Sequence, residues 1–121
     1  MSTLPGKLST HVLDTTNGVP GVGMRVDFSV REGEQYRLVA TIHTNADGRT
    51  DAPLMLGDTM RTGQFELLFY VADYYRARGT ATASTPFLDR VPVRFGITDP
   101  RANYHVPLLC TPWSYSTYRG S

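Results

Sequence analysis

The sequence predicts an all-β domain, a sandwich or a barrel, carrying one short helix. Three observations predict it. Apolar residues recur with the two-residue period of strands along most of the chain, the strand-like runs are short and numerous, and Gly, Pro, Asn and Asp punctuate them. About seven such runs within 121 residues fit a single core with no domain boundary, no internal repeat and no low-complexity tract.

The elements follow in chain order. In "KLSTHVLD", His11 shares its parity with Ser9 and Leu13, opposite Leu8 and Val12. "MRVDFSVR" alternates Met24, Val26, Phe28 and Val30 with Arg25, Asp27, Ser29 and Arg31, the pattern of a half-buried strand with one wet face. "YRLVATIH" repeats it, placing Tyr36, Leu38, Ala40 and Ile42 inward and Arg37, Thr41 and His43 outward. "QFELLFYVA" is apolar on both parities and is expected at the centre of a sheet. "VADYYRARG" is the helical candidate, with Gly79 as its left-handed C-cap. "VPVRFGI" alternates through Val91, Val93, Phe95 and Ile97. In "NYHVPLLC", Tyr104, Val106, Leu108 and Cys110 form the core face, with His105, Pro107 and Leu109 pointing away, and "WSYSTY" closes the set.

Composition narrows the function classes. Twelve Lys plus Arg, with Lys7 the sole lysine, stand against eleven Asp plus Glu, and the cations are scattered. That is no electrostatic footprint for nucleic acid or an anionic membrane. A single Cys110, on the core parity, makes neither an intrachain disulfide nor a CxxC metal site and reads as packing. The start has no basic segment followed by an apolar run, and no stretch approaches the ~18 apolar residues of a membrane span. The expectation is a soluble cytoplasmic protein.

The residues able to do chemistry are few. His11 and His105 lie on strands but off the core, each flanked by leucine or proline, and an outer face of that kind suggests a covered surface between subunits. There an imidazole would be shielded from water and set up as a neutral-pH base. Arg49 follows an Asp-Gly turn in "TNADGRT", where its planar fork suits carbonyl and carboxylate oxygens, with Asp51 as an expected partner. There is no G-x-S-x-G, no HExxH and no glycine-rich phosphate loop. A three-histidine metal hydrolase would need His43 beside the other two, but it sits on the outer face of a different strand. No cofactor is expected. What remains suits activation of a water against an electrophilic carbonyl.

"LSTHVLDTTNGVPGVGM", "TNADGR" and "YHVPLLCTPWSYSTYRGS" together resemble the transthyretin-like family, specifically its 5-hydroxyisourate hydrolases. The resemblance implies a single transthyretin-like domain over 1–121, with 1–6 flexible, built as a two-sheet β-sandwich of about eight strands and one short helix. It implies a homotetramer, a dimer of dimers, with active sites at the dimer-dimer interface. It also implies hydrolysis of 5-hydroxyisourate with His11, Arg49 and His105 as catalytic residues, and Tyr118 and Ser121, in the terminal "YRGS", as substrate-binding ones. Gly21 and the pair Trp113-Ser114 depart from the family's commoner residues, away from these positions. The rival implied by the same fold is a transthyretin-type carrier of a small hydrophobic hormone, which has no need of an imidazole pair and an arginine.

Overall fold

A computed structural model describes residues 6–80 and 82–121. The chain runs β1 (Lys7–Ser9), β2 (Val12–Asp14), β3 (Val19–Pro20), β4 (Arg25–Glu32), β5 (Gln35–His43), β6 (Met55–Leu56) and a 3-10 turn (Gly57–Thr59). It continues through β7 (Gly63–Tyr70), α1 (Val71–Arg78), β8 (Arg90–Ile97), β9 (Asn103–His105), β10 (Leu108–Cys110) and β11 (Tyr115–Ser116). One sheet has the order β5-β4-β7-β8 and is antiparallel throughout. The opposing layer has two parts, β6-β1-β9 and β11-β10-β2-β3, in which β1 runs parallel to β9 and β2 parallel to β10.

These two parts are one sheet with an interruption. Pro107 carries no N–H, so the ladder loses a rung there. Backbone bonds from Val106 N–H to Ser9 C=O (2.9 Å) and from Leu108 N–H to His11 C=O (2.9 Å) carry the pairing across the gap. Joined over it, β1–β2 and β9–β10 each become one strand, and the count among the described residues settles at eight plus the two-residue β3. This is the expected sandwich.

The inner faces meet in one core. Leu8, Val12, Tyr104, Val106, Leu108 and Cys110 face Val26, Phe28, Phe65, Leu67, Phe69, Val91 and Val93, all buried. β7, apolar on both parities, lies between β4 and β8 as its composition requires. α1 ends where Gly79 adopts φ 82° and donates to Arg76 C=O.

One strand departs from its pattern. β4 and β5 pair Phe28 with Ala40 but Ser29 with Leu38, so Val39 is an extra residue and the parity of β5 inverts there. Ile42 and Ala40 stay on the inner side, whereas Leu38, expected inward, is 53% exposed. Tyr36 is turned likewise, pairs with Arg31, and its ring is covered by the Arg94 guanidinium at 4.5 Å. Of the expected flexible start, residues 1–5 lie outside the described residues; Gly6 is buried and its C=O accepts from Gly57 N–H (2.9 Å).

The buried polar knot of the domain is Asp14. Its carboxylate, 1% exposed, accepts from Tyr74 Oη (2.8 Å), Tyr75 Oη (2.9 Å), Asn17 Nδ2 (2.8 Å) and the N–H groups of Thr16 and Asn17. Burial pushes the carboxyl up, but the bonds from Asn17, Tyr74 and Tyr75 outweigh it and hold it below the usual aspartate range. The knot ties α1 to β2. Replacing Asp14 by Ala strands the Tyr74 hydroxyl in the interior, while Tyr75 Oη keeps Cys110 C=O (2.8 Å), and is expected to cost about 3 kcal/mol, read from urea unfolding at fixed protein concentration. Because the folded pKa is depressed, this contribution is complete above about pH 4 and vanishes as pH falls through the folded value, so parent and Asp14→Asn curves should converge in acid.

Candidate active site

Alternation in the β1–β2 and β9–β10 strands sends Lys7, Ser9, His11 and Leu13 to the outer face of their sheet, since Leu8, Val12 and Asp14 are buried. On the neighbouring strand His105 and Leu109 are half-buried while Tyr104, Val106, Leu108 and Cys110 fill the core. The parallel register sets Ser9 opposite His105, and Leu13 opposite Leu109. His11 and His105 thus project from adjacent strands, with ring centroids 6.5 Å apart and planes tilted by 42°.

Each ring has one nitrogen engaged. His11 Nε2 lies 2.8 Å from Asp47 C=O, and a carbonyl only accepts, so this nitrogen carries the proton and Nδ1 holds the ring's lone pair when neutral. His105 Nδ1 lies 2.9 Å from Ser9 Oγ, which leaves Nε2. Burial pushes the His105 pKa below 6.5, and the positive charges of Arg49 and Lys7 push the same way. At neutral pH this imidazole is uncharged.

Arg49 is delivered by the Asn45–Arg49 turn. The Asn45 side-chain oxygen accepts from the N–H groups of Asp47 (2.9 Å) and Arg49 (3.1 Å), and Gly48 N–H reaches Asn45 C=O (2.9 Å). Gly48, at φ 76°, packs so tightly on the Val12 carbonyl that a Cβ has no room, which brings the turn against β2. Arg49 then bridges to His11. Its guanidinium makes no ion pair among the described residues. A cleft of about 180 Å³ opens beside it, lined by Lys7, Ser9, Thr10, Arg49, Thr50 and Asp51 among others.

The chain end extends the sheet. Gly120 and His105 exchange backbone bonds, 2.7 Å and 3.2 Å, and a Cβ on Gly120 would lie 3.1 Å from His105 Cβ and 3.2 Å from its Cδ2. Thr117 Oγ1 donates to Pro107 C=O (2.7 Å), and Arg119 stacks on Tyr104 while donating to Asn103 C=O (3.2 Å).

Of the residues expected at the site, His11, Arg49 and His105 are together. Tyr118, 58% exposed, shares the parity of Gly120 and Ser116, which pair with His105 and Leu109. Ser121 follows directly; neither side chain is hydrogen-bonded to an imidazole among the described residues. Asp51 is not the partner of Arg49, because its carboxylate takes a bond from Asn45 Nδ2 (3.1 Å). His43 belongs to the other sheet and lines a separate cleft of about 400 Å³ with Arg25, Tyr70 and Arg78. The guanidiniums there are already paired, Arg25 with Asp27 and Arg78 with Asp14. Among the described residues no three His, Cys, Asp or Glu side chains are grouped to hold a metal ion. Burial pushes the Cys110 thiol up to about 11, consistent with a packing role. No helix among the described residues is long and apolar enough to cross a membrane. Ser9, Lys7 and Asn45 were not singled out by sequence reasoning; shared parity with His11 was the one available signal for the first two.

Fold and site define a transthyretin-type sandwich with an imidazole pair on the outer face of one sheet. The chain belongs to the HIUase/Transthyretin family, whose model matches residues 8–120. A 5-hydroxyisourate hydrolase 2 of Rhizobium meliloti (strain 1021) is 51% identical over 116 residues, covering 96% of this chain and 97% of that protein. The crystal structure of (S)-allantoin synthase superposes with a TM-score of 0.91 at 44% identity over 100% of this chain, which spans 46% of that one. Sea bream transthyretin in complex with thyroxine gives a TM-score of 0.82 at 25% identity, over 94% of each chain.

The electrostatics make a direct prediction. In histidine NMR titrations His105 should titrate below 6.5, and Arg49→Gln should move it upward without restoring the ordinary value, since burial remains. Lys7→Met should move it the same way by less. A His105 titration that Arg49→Gln leaves in place would remove the arginine from this field.

Proposed function

We propose that the protein hydrolyses 5-hydroxyisourate on the outer face of the β1–β2 and β9–β10 strands. The observation that carries this reading is the imidazole pair, 6.5 Å between centroids, each ring with one nitrogen engaged and one left, beside an arginine that makes no ion pair among the described residues. The hydrolase name of a relative at 51% identity supports it.

The reaction opens a ring lactam. Water attacks the carbonyl carbon, a C–O bond forms, the C–N bond breaks, and the proton lost by water is matched by one gained by the leaving nitrogen. One of His11 and His105 takes the water proton and the other positions the water or returns a proton. An uncharged His105 at neutral pH can accept a proton at Nε2; neutral His11 can accept one at Nδ1. Arg49 binds the purine oxygens and the charge developing on the attacked one, a task in which a lost donor costs roughly 10² to 10³ in rate. Tyr118 and Ser121 hydrogen-bond the substrate or water.

The working form is a homotetramer, a dimer of dimers, in which another copy covers this face. Half-buried Leu13 and Leu109 beside the imidazoles, with Trp113, Tyr115 and Tyr118 exposed on the adjoining chain end, supply apolar surface for that contact. A hormone carrier with this fold has no use for an imidazole pair and an arginine on this face.

Decay of freshly generated 5-hydroxyisourate, followed spectroscopically, tests the reading. His11→Asn and His105→Asn should each slow turnover by about 10² or more with the fold intact, while His43→Asn behaves as the parent. Parent-like rates in both of the first two variants would sink the assignment.

Removal of Tyr118 to Ser121 separates a site wall from a disposable tail. A spare end tolerates truncation; a wall does not. Nearly complete loss of hydrolysis is expected from a truncated chain that light scattering still shows as a tetramer, and full activity in that tetramer would refute the wall.

A further inference from the structure

We propose that Ser9 is a positioning residue for His105, its hydroxyl holding Nδ1 through both protonation states of the ring so that Nε2 alone handles the proton. The inference rests on the hydrolytic reading of this face and adds a residue to it. Ser9 Oγ stands 2.9 Å from His105 Nδ1, the two residues are opposite each other in the parallel register, and Val106 N–H bonds Ser9 C=O at 2.9 Å. Hydroxyl and imidazole are therefore carried on two strands pinned together at the point of contact. On its other side β1 is held by Leu54 N–H on Leu8 C=O (2.8 Å), so Ser9 has little room to drift. Ser9 Oγ has no second hydrogen-bond partner among the described residues. Across the ring, the Gly120 backbone closes on Cβ and Cδ2.

The chemistry of the partner decides what it can do. A serine hydroxyl is both donor and acceptor. A neutral ring that is to take a proton at Nε2 carries its own on Nδ1, so the hydroxyl accepts from Nδ1–H and goes on accepting once Nε2 is protonated. No heavy atom need move as the ring gains or loses its proton. His11 is held at its other nitrogen, where the Asp47 carbonyl accepts from Nε2–H throughout. The two imidazoles are thus held at opposite nitrogens, which leaves Nε2 of His105 and Nδ1 of His11 for the proton.

The test compares Ser9→Ala and Ser9→Thr with the parent, all as full chains. In nitrogen-15 NMR of the imidazoles, the parent His105 Nδ1 should carry the displacement of a hydrogen-bonded nitrogen, Ser9→Ala should lose it, and Ser9→Thr should keep it. In 5-hydroxyisourate decay, Ser9→Ala should lower kcat by about tenfold with KM within about twofold, a part of the 10² to 10⁴ that a whole general base contributes. Ser9→Thr, a hydroxyl on a residue suited to strands, should return kcat to within about threefold of the parent. An unchanged Nδ1 resonance in Ser9→Ala, or a Ser9→Thr variant that is folded by circular dichroism yet as slow as Ser9→Ala, would overturn the proposal. A parent without hydrolase activity would overturn the functional reading instead, and the Nδ1 comparison would still decide the role of Ser9.

Discussion

Everything at the site depends on the parallel pairing of the β1–β2 strand with the β9–β10 strand. The residues it joins are far apart in the chain; Ser9 and His105 are separated by 96 positions. Parallel neighbours cannot be joined by a tight turn, and here the whole antiparallel sheet with its helix forms the connection. The imidazole pair therefore exists only once the rest of the sandwich has closed. Loop-closure entropy is spent before the contact is made. The interruption at Pro107 does not weaken this, because Ser9 and His11 both keep their carbonyls bonded to the partner strand on either side of it.

Strand parity then sorts charge. Asp14 is three positions from His11, yet alternation sends it to the interior, where tyrosyl hydroxyls and Asn17 satisfy it. Lys7, Ser9 and His11 go the other way, toward Arg49. In a Ser-His-Asp arrangement a buried carboxylate stabilises the imidazolium. Here neither imidazole is hydrogen-bonded to a carboxylate among the described residues; their partners are a hydroxyl and a carbonyl, and the nearby charges acting on His105 are positive. The consequence is a histidine kept neutral by burial and by cations, the form that the proposed hydrolysis asks of it.

Local rules were enough for most of the fold. Alternation in 91–97, the inward set of 24–31, the two-sided apolar run of β7 and the Gly79 cap all appear where their residues demand, whereas the face of 24–31 expected to be wet has Asp27 and Ser29 buried, the former under the Tyr70 hydroxyl. The inward placement of Leu38 failed because a bulge depends on how two strands fit, and "YRLVATIH" carries no mark of the extra residue at Val39. The same limit explains the site. That His11 and His105 lie off the core is a property of each strand alone; that they stand side by side, with Ser9 on the Nδ1 edge, is a property of register between segments that no local pattern encodes. Asp51 was matched with Arg49 on proximity in sequence, whereas the turn gives its carboxylate to Asn45.

The chain end shows how far pre-organisation goes. His105 sits on a strand with β1 on one side and the terminal segment on the other, and both neighbours bond the main chain within one residue of it. Its backbone has little freedom to move without breaking two ladders. The ring retains rotation about its own bonds, and there the Ser9 hydroxyl meets Nδ1 while Gly120 occupies the space beside Cδ2. A Cβ at this position would lie 3.1 Å from His105 Cβ and 3.2 Å from its Cδ2, close enough that the ring would have to shift by a few tenths of an ångström. A polar, aromatic tail ending in Gly-Ser is thus ordered by the imidazole it confines, and the imidazole is ordered by the tail.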